Sequence, residues 1–324
     1  MAQLCLLVSA DEGLVRIPLP PRRRLTFGRA QRCDFVLDDA SVSREHAALH
    51  VGPGVPPRLA LEDLRSANGS SVLGYRLDPR QKCPLPVGCM FELASSTLLV
   101  QERRKIPTPK PGRGRGPRPI AVDPKTQRIH ALLDVLGPSS LDVLVVGETG
   151  TGKRTFAHAI VARSPRAKKP LVSLDSGTLD HAELAAAQKE AGAGTLLFER
   201  VDELPRELHE KVLGPHRGGP RRLFTARAEG LRLASMMTGF AVAMPPLRAR
   251  REDIVPLAEL FTERSAKQLK EQVPRLSEQA KNALTRHEWP RNARELEGVM
   301  DRAVLDADGA EWIDLEHLRL PRYE

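Results

Sequence analysis

The chain has 324 residues, a formal net charge of +9 and four cysteines. Its length leads to two or three domains; no apolar stretch is long enough to cross a bilayer and the N-terminus lacks the pattern of a secretory signal, so a soluble cytoplasmic protein with no membrane partner is expected. The positive charge admits nucleic acid or acidic partners without choosing between them, and Cys5, Cys33, Cys83 and Cys89 lack zinc-site spacing and read as reduced core or surface thiols.

From residue 1 to about 102, short apolar runs alternate with turn signals, as in Leu4-Cys5-Leu6-Leu7-Val8, Leu14-Val15-Arg16-Ile17, Phe35-Val36-Leu37 and Leu98-Leu99-Val100. Strands at this spacing predict an all-β sandwich. Three clusters lie between strands: Phe27-Gly28-Arg29, Ser41-Val42-Ser43-Arg44-Glu45-His46-Ala47 and Ser66-Ala67-Asn68-Gly69-Ser70. Arg29 offers a planar fork of donors with a fixed charge, Ser43 a hydroxyl, and Asn68 an amide able to hold an extended backbone, with Arg44 as a second cation. Such groups suit a phosphate on a peptide. Singly they have plainer readings, Arg29 as a surface arginine after a turn glycine and Asn68-Gly69 as a common β-turn.

Gly-Arg, then Ser-x-x-His, then Asn-Gly, in that order, resembles the forkhead-associated (FHA) domain across the first hundred residues. The resemblance implies an eleven-stranded β-sandwich whose loops bind phosphothreonine peptides through Arg29, Ser43, Arg44 and Asn68. It also implies a supporting role for Gly28, His46 and Gly69, with the histidine bracing the loops through side-chain hydrogen bonds.

Residues 103–120 contain a basic run from Arg103 to Arg118 that is too rich in Pro and Gly for helix or strand. It reads as an interdomain linker extended by its own charge. A nucleic-acid-binding arm is the alternative, and the run has no aromatic side chain on which a base could stack.

Beyond the linker, apolar strands alternate with helical periodicity, the pattern of a parallel α/β sheet. Val143-Leu144-Val145-Val146 leads into Gly147-Glu148-Thr149-Gly150-Thr151-Gly152-Lys153, and Arg154 to Val161 reads as a helix with Phe156, Ala159 and Ile160 inward. Strand, glycine loop and helix place backbone N–H groups, a helix N-terminus and a lysine around bound phosphates. A glycine turn ending in lysine by chance is the alternative, and the strand-loop-helix context argues against it. Further strands are predicted at Leu171–Leu174, Gly194–Phe198 and Arg222–Thr225. Near the end, Leu257, Leu260 and Phe261 share one helical face, Ala280, Ala283 and Leu284 another, and Leu296, Val299, Met300 and Ala303 a third.

The glycine loop, Ser164-Pro165-Arg166-Ala167, Ala193-Gly194-Thr195-Leu196-Leu197-Phe198 leading to Glu203-Leu204-Pro205, Pro245-Pro246-Leu247-Arg248-Ala249-Arg250-Arg251-Glu252-Asp253-Ile254 and Trp289-Pro290-Arg291-Asn292-Ala293-Arg294-Glu295-Leu296-Glu297 together resemble the AAA+ domain of the sigma-54-dependent transcription activators. The whole chain is then multidomain: an all-β FHA sandwich (1–102), the linker (103–120), an α/β nucleotide-binding subdomain (121–246) and a C-terminal α-helical lid (247–324). The resemblance implies that Gly147, Glu148, Thr149, Gly150, Thr151, Gly152, Lys153 and Arg154 hold ATP or ADP, and that Arg294 is a second sensor reaching the phosphates. A solvated helix arginine is the alternative for Arg294.

The departures from that family fall on the parts that do work. Where the strand end normally supplies a magnesium-binding Asp and a water-activating Glu, Glu199 and Arg200 stand here. Glu199 keeps a carboxylate for Mg²⁺, whereas a guanidinium cannot serve as a base. Asp202-Glu203 would supply acids in another register, beyond the strand end. The insertion with the Gly-Ala-Phe-Thr-Gly-Ala loop that contacts sigma-54 is missing, Arg227-Ala228 replaces a Thr-Asn sensor, Arg232 is a weak substitute for an arginine finger, Arg154 replaces a glutamate, and no helix-turn-helix domain is expected before the chain ends at Glu324. Loss of base and finger costs about 10²–10⁴-fold and roughly 10³–10⁵-fold. The expectation is therefore a bacterial signalling and transcription-regulatory protein that binds nucleotide with little hydrolysis. Its FHA partner would be a phosphothreonine-containing protein, a Ser/Thr kinase or its substrate, with the transcription machinery as a further partner. The alternatives are an active AAA+ ATPase regulating sigma-54-dependent transcription, and nucleic-acid binding through the linker.

Overall fold

A computed structural model describes residues 4–10, 13–20, 23–54, 57–102, 119–215, 218–227 and 230–321. The basic run at 103–118 lies outside the described residues. By contact density the chain divides into one unit of 1–117, 128–147 and 153–244, and a second of 118–127, 148–152 and 245–324.

In the first unit, residues 4–102 form eleven strands: β1 (Leu4–Ala10), β2 (Gly13–Pro18), β3 (Arg24–Gly28), β4 (Phe35–Val36), β5 (Ala47–Val51), β6 (Leu59–Asp63), β7 (Ser70–Val72), β8 (Tyr75–Arg76), β9 (Lys82–Pro84), β10 (Met90–Leu93) and β11 (Ser96–Glu102). They make a six-stranded sheet, β2-β1-β11-β10-β7-β8, and a five-stranded sheet, β4-β3-β5-β6-β9. The expected sandwich is present. Alternation decides which side chains turn inward: along β6, Leu59 and Leu61 are buried while Ala60 and Glu62 are only half-buried. Phe27 stacks on Phe35 with ring centroids 4.9 Å apart and meets Phe91 edge-on at 6.0 Å, which ties the two sheets together. All four cysteines are buried thiols without a disulfide partner.

The same unit continues in a parallel sheet of β12 (Asp142–Val146), β13 (Leu171–Asp175), β14 (Thr195–Glu199), β15 (Arg221–Ala226) and β16 (Gly239–Ala243), in the spatial order β13-β14-β15-β12-β16. Every neighbouring pair is parallel. All five residues of β12 are buried, the near-continuous apolar run expected of a strand covered on both faces. The helices packed on this sheet and before it are α1 (Pro124–Ala131), α2 (Leu133–Leu136), α3 (Lys153–Ala162), α4 (His181–Ala191), α5 (His209–Leu213) and α6 (Gly230–Met236). Phe156, Ala159 and Ile160 of α3 face the core as periodicity indicated. Asp180 caps α4, its carboxylate accepting from Glu183 N–H at 2.7 Å, so the short segment in place of the family's insertion is an ordinary capped helix.

The second unit contains α7 (Ile254–Leu269), α8 (Glu278–Arg286) and α9 (Asn292–Ala307), with a two-stranded ladder of β17 (Arg275–Leu276) and β18 (Trp312–Ile313). The apolar stripe of α9 is core, as expected. On α7 the buried face is Ile254, Ala258, Phe261 and Thr262, and Leu257 and Leu260 are only half-buried at its margin. Trp289, fully buried, donates its indole N–H to the Leu284 carbonyl at 2.8 Å.

Candidate functional site

The loops at one end of the N-terminal sandwich are held by His46. Its ring is wholly buried; Nδ1 accepts from Ser43 N–H at 3.0 Å, so Nε2 carries the proton and donates to the Gly69 carbonyl at 3.1 Å. Burial pushes its pKa below the ordinary 6.5, partly offset by the Gly69 contact and the nearby Asp63 and Asp39. The supporting role expected for His46 is the geometry seen. Gly28 is required for the same assembly: a Cβ there would lie 2.2 Å from the Arg44 carbonyl oxygen, because Arg29 N–H and Ala30 N–H donate to the Ser43 and Arg44 carbonyls. Gly69 has φ +79°, and a Cβ on it would meet the Arg76 guanidinium at 2.7 Å.

Ser43 Oγ accepts from Ala67 N–H at 3.0 Å, and Asn68 Nδ2 donates to the Ser41 carbonyl at 2.7 Å, so the second and third clusters are joined into one surface. Asp39 anchors them from below. Burial opposes its ionisation, but hydrogen bonds from Ser41, Ser95 and Ser96 outweigh it and hold the carboxyl at about 2. Arg29 and Arg44 are exposed, and no described residue pairs with either guanidinium. Backbone and side-chain bonds thus set the loops that carry Arg29, Ser43, Arg44 and Asn68 side by side.

At the carboxyl end of the parallel sheet, Gly147 N–H donates to the Ala226 carbonyl at 3.2 Å and Lys153 Nζ to the Gly147 carbonyl at 2.7 Å. Gly147, Gly150 and Gly152 all have positive φ (155°, 81° and 93°), the backbone path that non-glycine residues resist. Glu199 ends β14 and faces Arg154 on α3, with Nη1 to Oε1 at 3.5 Å. Arg200 follows it in the left-handed region, φ +55°, and its guanidinium pairs with Asp175 and Glu203. Arg227 pairs with Glu203 and lies 3.7 Å from Asp202. The alternative acids Asp202 and Glu203 are therefore in the helical turn after β14, each facing an arginine. Asp175, which sequence reasoning passed over, has its carboxyl held low by the Arg200 hydrogen bonds, then by Gly177 N–H.

In the second unit, loop residues 148–152 are clasped by the lid. Arg248 Nη1 donates to Glu148 Oε2 at 2.9 Å, Arg250 Nη2 to the Thr151 carbonyl at 2.7 Å and Ala293 N–H to the Gly150 carbonyl at 3.0 Å. Asn292, fully buried with φ +56°, donates to the Thr149 carbonyl at 2.9 Å and to Glu148 at 3.2 Å while accepting from Leu247 N–H at 2.7 Å. Arg294 is exposed, and its Cβ lies 3.2 Å from where a Cβ on Gly150 would stand. In the sequence Arg248, Arg250 and Asn292 stand only within family motifs, without a role of their own; pairing with the loop across 99 to 144 residues of chain leaves no local signal.

Comparison with known proteins finds three families along the chain. The chain matches the FHA domain family over residues 25–94, the sigma-54 interaction domain family over 120–189 and the AAA+ ATPase lid domain family over 248–322. It is 31% identical to the transcriptional regulatory protein FlbD of Caulobacter vibrioides over 333 aligned residues, covering 89% of this chain and 69% of FlbD. It is 29% identical to the DNA-binding transcriptional regulator NtrC of Klebsiella pneumoniae, spanning 59% of this chain and half of that relative's length. Among solved structures it shares the fold of NtrX from Brucella abortus, crystallised with ATP, at a TM-score of 0.54 and 24% identity over 64% of this chain and 57% of NtrX.

Proposed function

Because this chain belongs to the sigma-54-activator family of transcriptional regulators and carries an FHA domain with an AAA+ core and lid, we propose that it is a regulator that reads a phosphothreonine through its FHA loops and holds ATP or ADP in its AAA+ domain with little hydrolysis. The observation that carries this reading is the pairing of Arg200 with Asp175 and Glu203, and of Arg227 with Glu203. A base that accepts a proton from water needs a free carboxylate beside the phosphates. Here the position belongs to a cation, and the acids around it are each neutralised by an arginine.

Phosphate recognition by the FHA loops rests on the chemistry of Arg29, Ser43, Arg44 and Asn68. A guanidinium fork forms two parallel charge-assisted bonds to a phosphate, and the preformed loop surface lowers the ordering cost of binding. The partner is a protein phosphorylated on threonine, a Ser/Thr kinase or its substrate, and the regulated process is transcription. Nucleotide binding is supported by the glycine loop and Lys153, and by NtrX, which was crystallised with ATP on the same fold.

Titration of a phosphothreonine peptide library into wild type and Arg29→Ala tests the first half. Wild type binds a subset and the variant loses roughly tenfold or more; equal binding to both, or none to either, removes the phosphopeptide reading. Phosphate release tests the second half, since turnover abolished by Lys153→Ala would make the protein an active ATPase instead.

A further inference from the structure

A nucleotide-bound magnesium ion is ordinarily held by a Ser or Thr hydroxyl directly after the loop lysine and by an acid at the end of a neighbouring strand. In this chain the residue after Lys153 is Arg154, and the strand-end acid, Glu199, faces Arg154 itself at 3.5 Å. Thr155 is the next hydroxyl, but one residue along α3 turns it by about 100°, and it is exposed. The remaining carboxylates at this edge of the sheet are engaged by other guanidinium groups: Asp175 and Glu203 by Arg200, Glu203 and Asp202 by Arg227. Four carboxylates thus face three arginines. Among the described residues no group of three or more His, Cys, Asp or Glu side chains is arranged to hold a metal ion.

A nucleotide-bound Mg²⁺ keeps several waters and takes one or two protein carboxylates besides the phosphates, and those carboxylates must be open to it. An edge whose acids each face a guanidinium, with a fixed positive charge directly after the loop lysine, does not fit one. Expecting Glu199 to bind Mg²⁺ therefore meets a contrary donor set. We propose that the nucleotide is held here as its metal-free anion, with the Arg154 guanidinium doing the electrostatic work that magnesium does in other phosphate-loop proteins. The proposal rests on the nucleotide-binding reading above.

The chemistry favours the exchange. Arg154 is 62% exposed at its side chain and its contact with Glu199 is an open surface pair, of the kind worth about 0–1 kcal/mol. A polyphosphate accepts both prongs of a guanidinium, and Arg154 meets Glu199 through Nη1 alone, so its remaining N–H donors serve the nucleotide while Glu199 stays paired. Lys153, at the first turn of the same helix, contributes a point charge beside that fork.

Calorimetric titration of ADP and ATP into the full chain, in excess EDTA and again in millimolar Mg²⁺, tests this. Wild type is expected to bind with dissociation constants that agree within about threefold between the two buffers. In Arg154→Ser, which places a hydroxyl directly after the loop lysine, affinity in EDTA should fall by roughly tenfold or more and Mg²⁺ should recover part of it. Because Arg154 is exposed, the variant should keep the wild-type circular dichroism. Glu199→Gln, which frees Arg154, should bind at least as tightly as wild type in EDTA. A wild-type affinity that drops roughly tenfold in EDTA, or an Arg154→Ser variant unchanged in EDTA, overturns the magnesium-free proposal and leaves nucleotide binding standing. No binding in either buffer removes both.

Discussion

At the scale of single residues, Asn292 and Gly150 show how few contacts set the phosphate loop. Asn292 satisfies Leu247 N–H and the Thr149 carbonyl from a wholly buried position, and it occupies the left-handed region that asparagine tolerates better than most residues. Asn292→Ala strands a buried donor and adds backbone strain, so a loss of about 2–4 kcal/mol is expected in urea unfolding followed at Trp289, together with weakened nucleotide binding. Gly150 is constrained from the other side: at φ +81° a Cβ would sit 2.1 Å from the Arg291 carbonyl oxygen. Gly150→Ala should therefore displace loop or lid backbone and abolish nucleotide binding even if the protein folds. The glycine was legible in the sequence as part of a phosphate loop. The asparagine was visible only as a letter in a family motif, since its partners lie about 45 and 143 residues away.

At the scale of elements, the FHA loops carrying the second and third clusters are braced by ionisable groups whose states differ between folded and unfolded chain. Desolvation by burial holds the His46 pKa below its ordinary 6.5, and protonating Nδ1 would also break its bond from Ser43 N–H. Its folded pKa is depressed, so the unfolded chain takes up the proton first. Stability is full above about 6.5 and declines as pH falls from there toward the lower folded value. Asp39 acts the same way in a lower window: its contribution is present above the ordinary 3.8 and is lost as pH falls toward about 2. Thermal unfolding of the FHA region across pH should show two successive declines, and His46→Gln should erase the upper one. Gly-Arg, Ser-x-x-His and Asn-Gly were readable as motifs. Asp39, with its three serine partners, was not, because Ser95 and Ser96 reach it only when β11 is laid beside the loop.

At the scale of the first unit as a whole, the FHA sandwich and the parallel sheet share one edge. Ala241 N–H on β16 donates to the Gly88 carbonyl at 2.9 Å, and Cys89 forms a parallel bridge to Ala241. Arg128 on α1 donates to the Ser95 carbonyl at 2.6 Å while Ser9 Oγ donates to the Arg128 carbonyl at 3.1 Å. Buried apolar side chains from both parts form one continuous core. Gly88 is the tightest point: at φ +95° a Cβ would lie 1.8 Å from the Gly239 carbonyl oxygen. Gly88→Ala should open this seam, read as faster hydrogen exchange at the Ala241 amide and as earlier proteolysis between the FHA and AAA+ parts. Unchanged exchange at Ala241 would mean that the seam does not depend on that glycine.

The amino-acid sequence by itself determined the order of the parts: period-two runs and turn residues specify the sandwich, and strand, glycine loop and helix specify the phosphate loop, because those signals are local. It also placed Arg200 where a catalytic base belongs. Other features came only from tertiary structure. The strand β16 and the β17–β18 ladder went unread, being short runs whose pairing depends on distant neighbours. Arg222 would pass for a surface cation, yet it is buried with Asp142 and donates to the Val212 carbonyl. A charged residue can enter a core only where its partners are already assembled. The pairing of Arg154 with Glu199 is of the same kind: two residues forty-five positions apart in sequence acquire a joint meaning only when α3 and β14 are brought side by side.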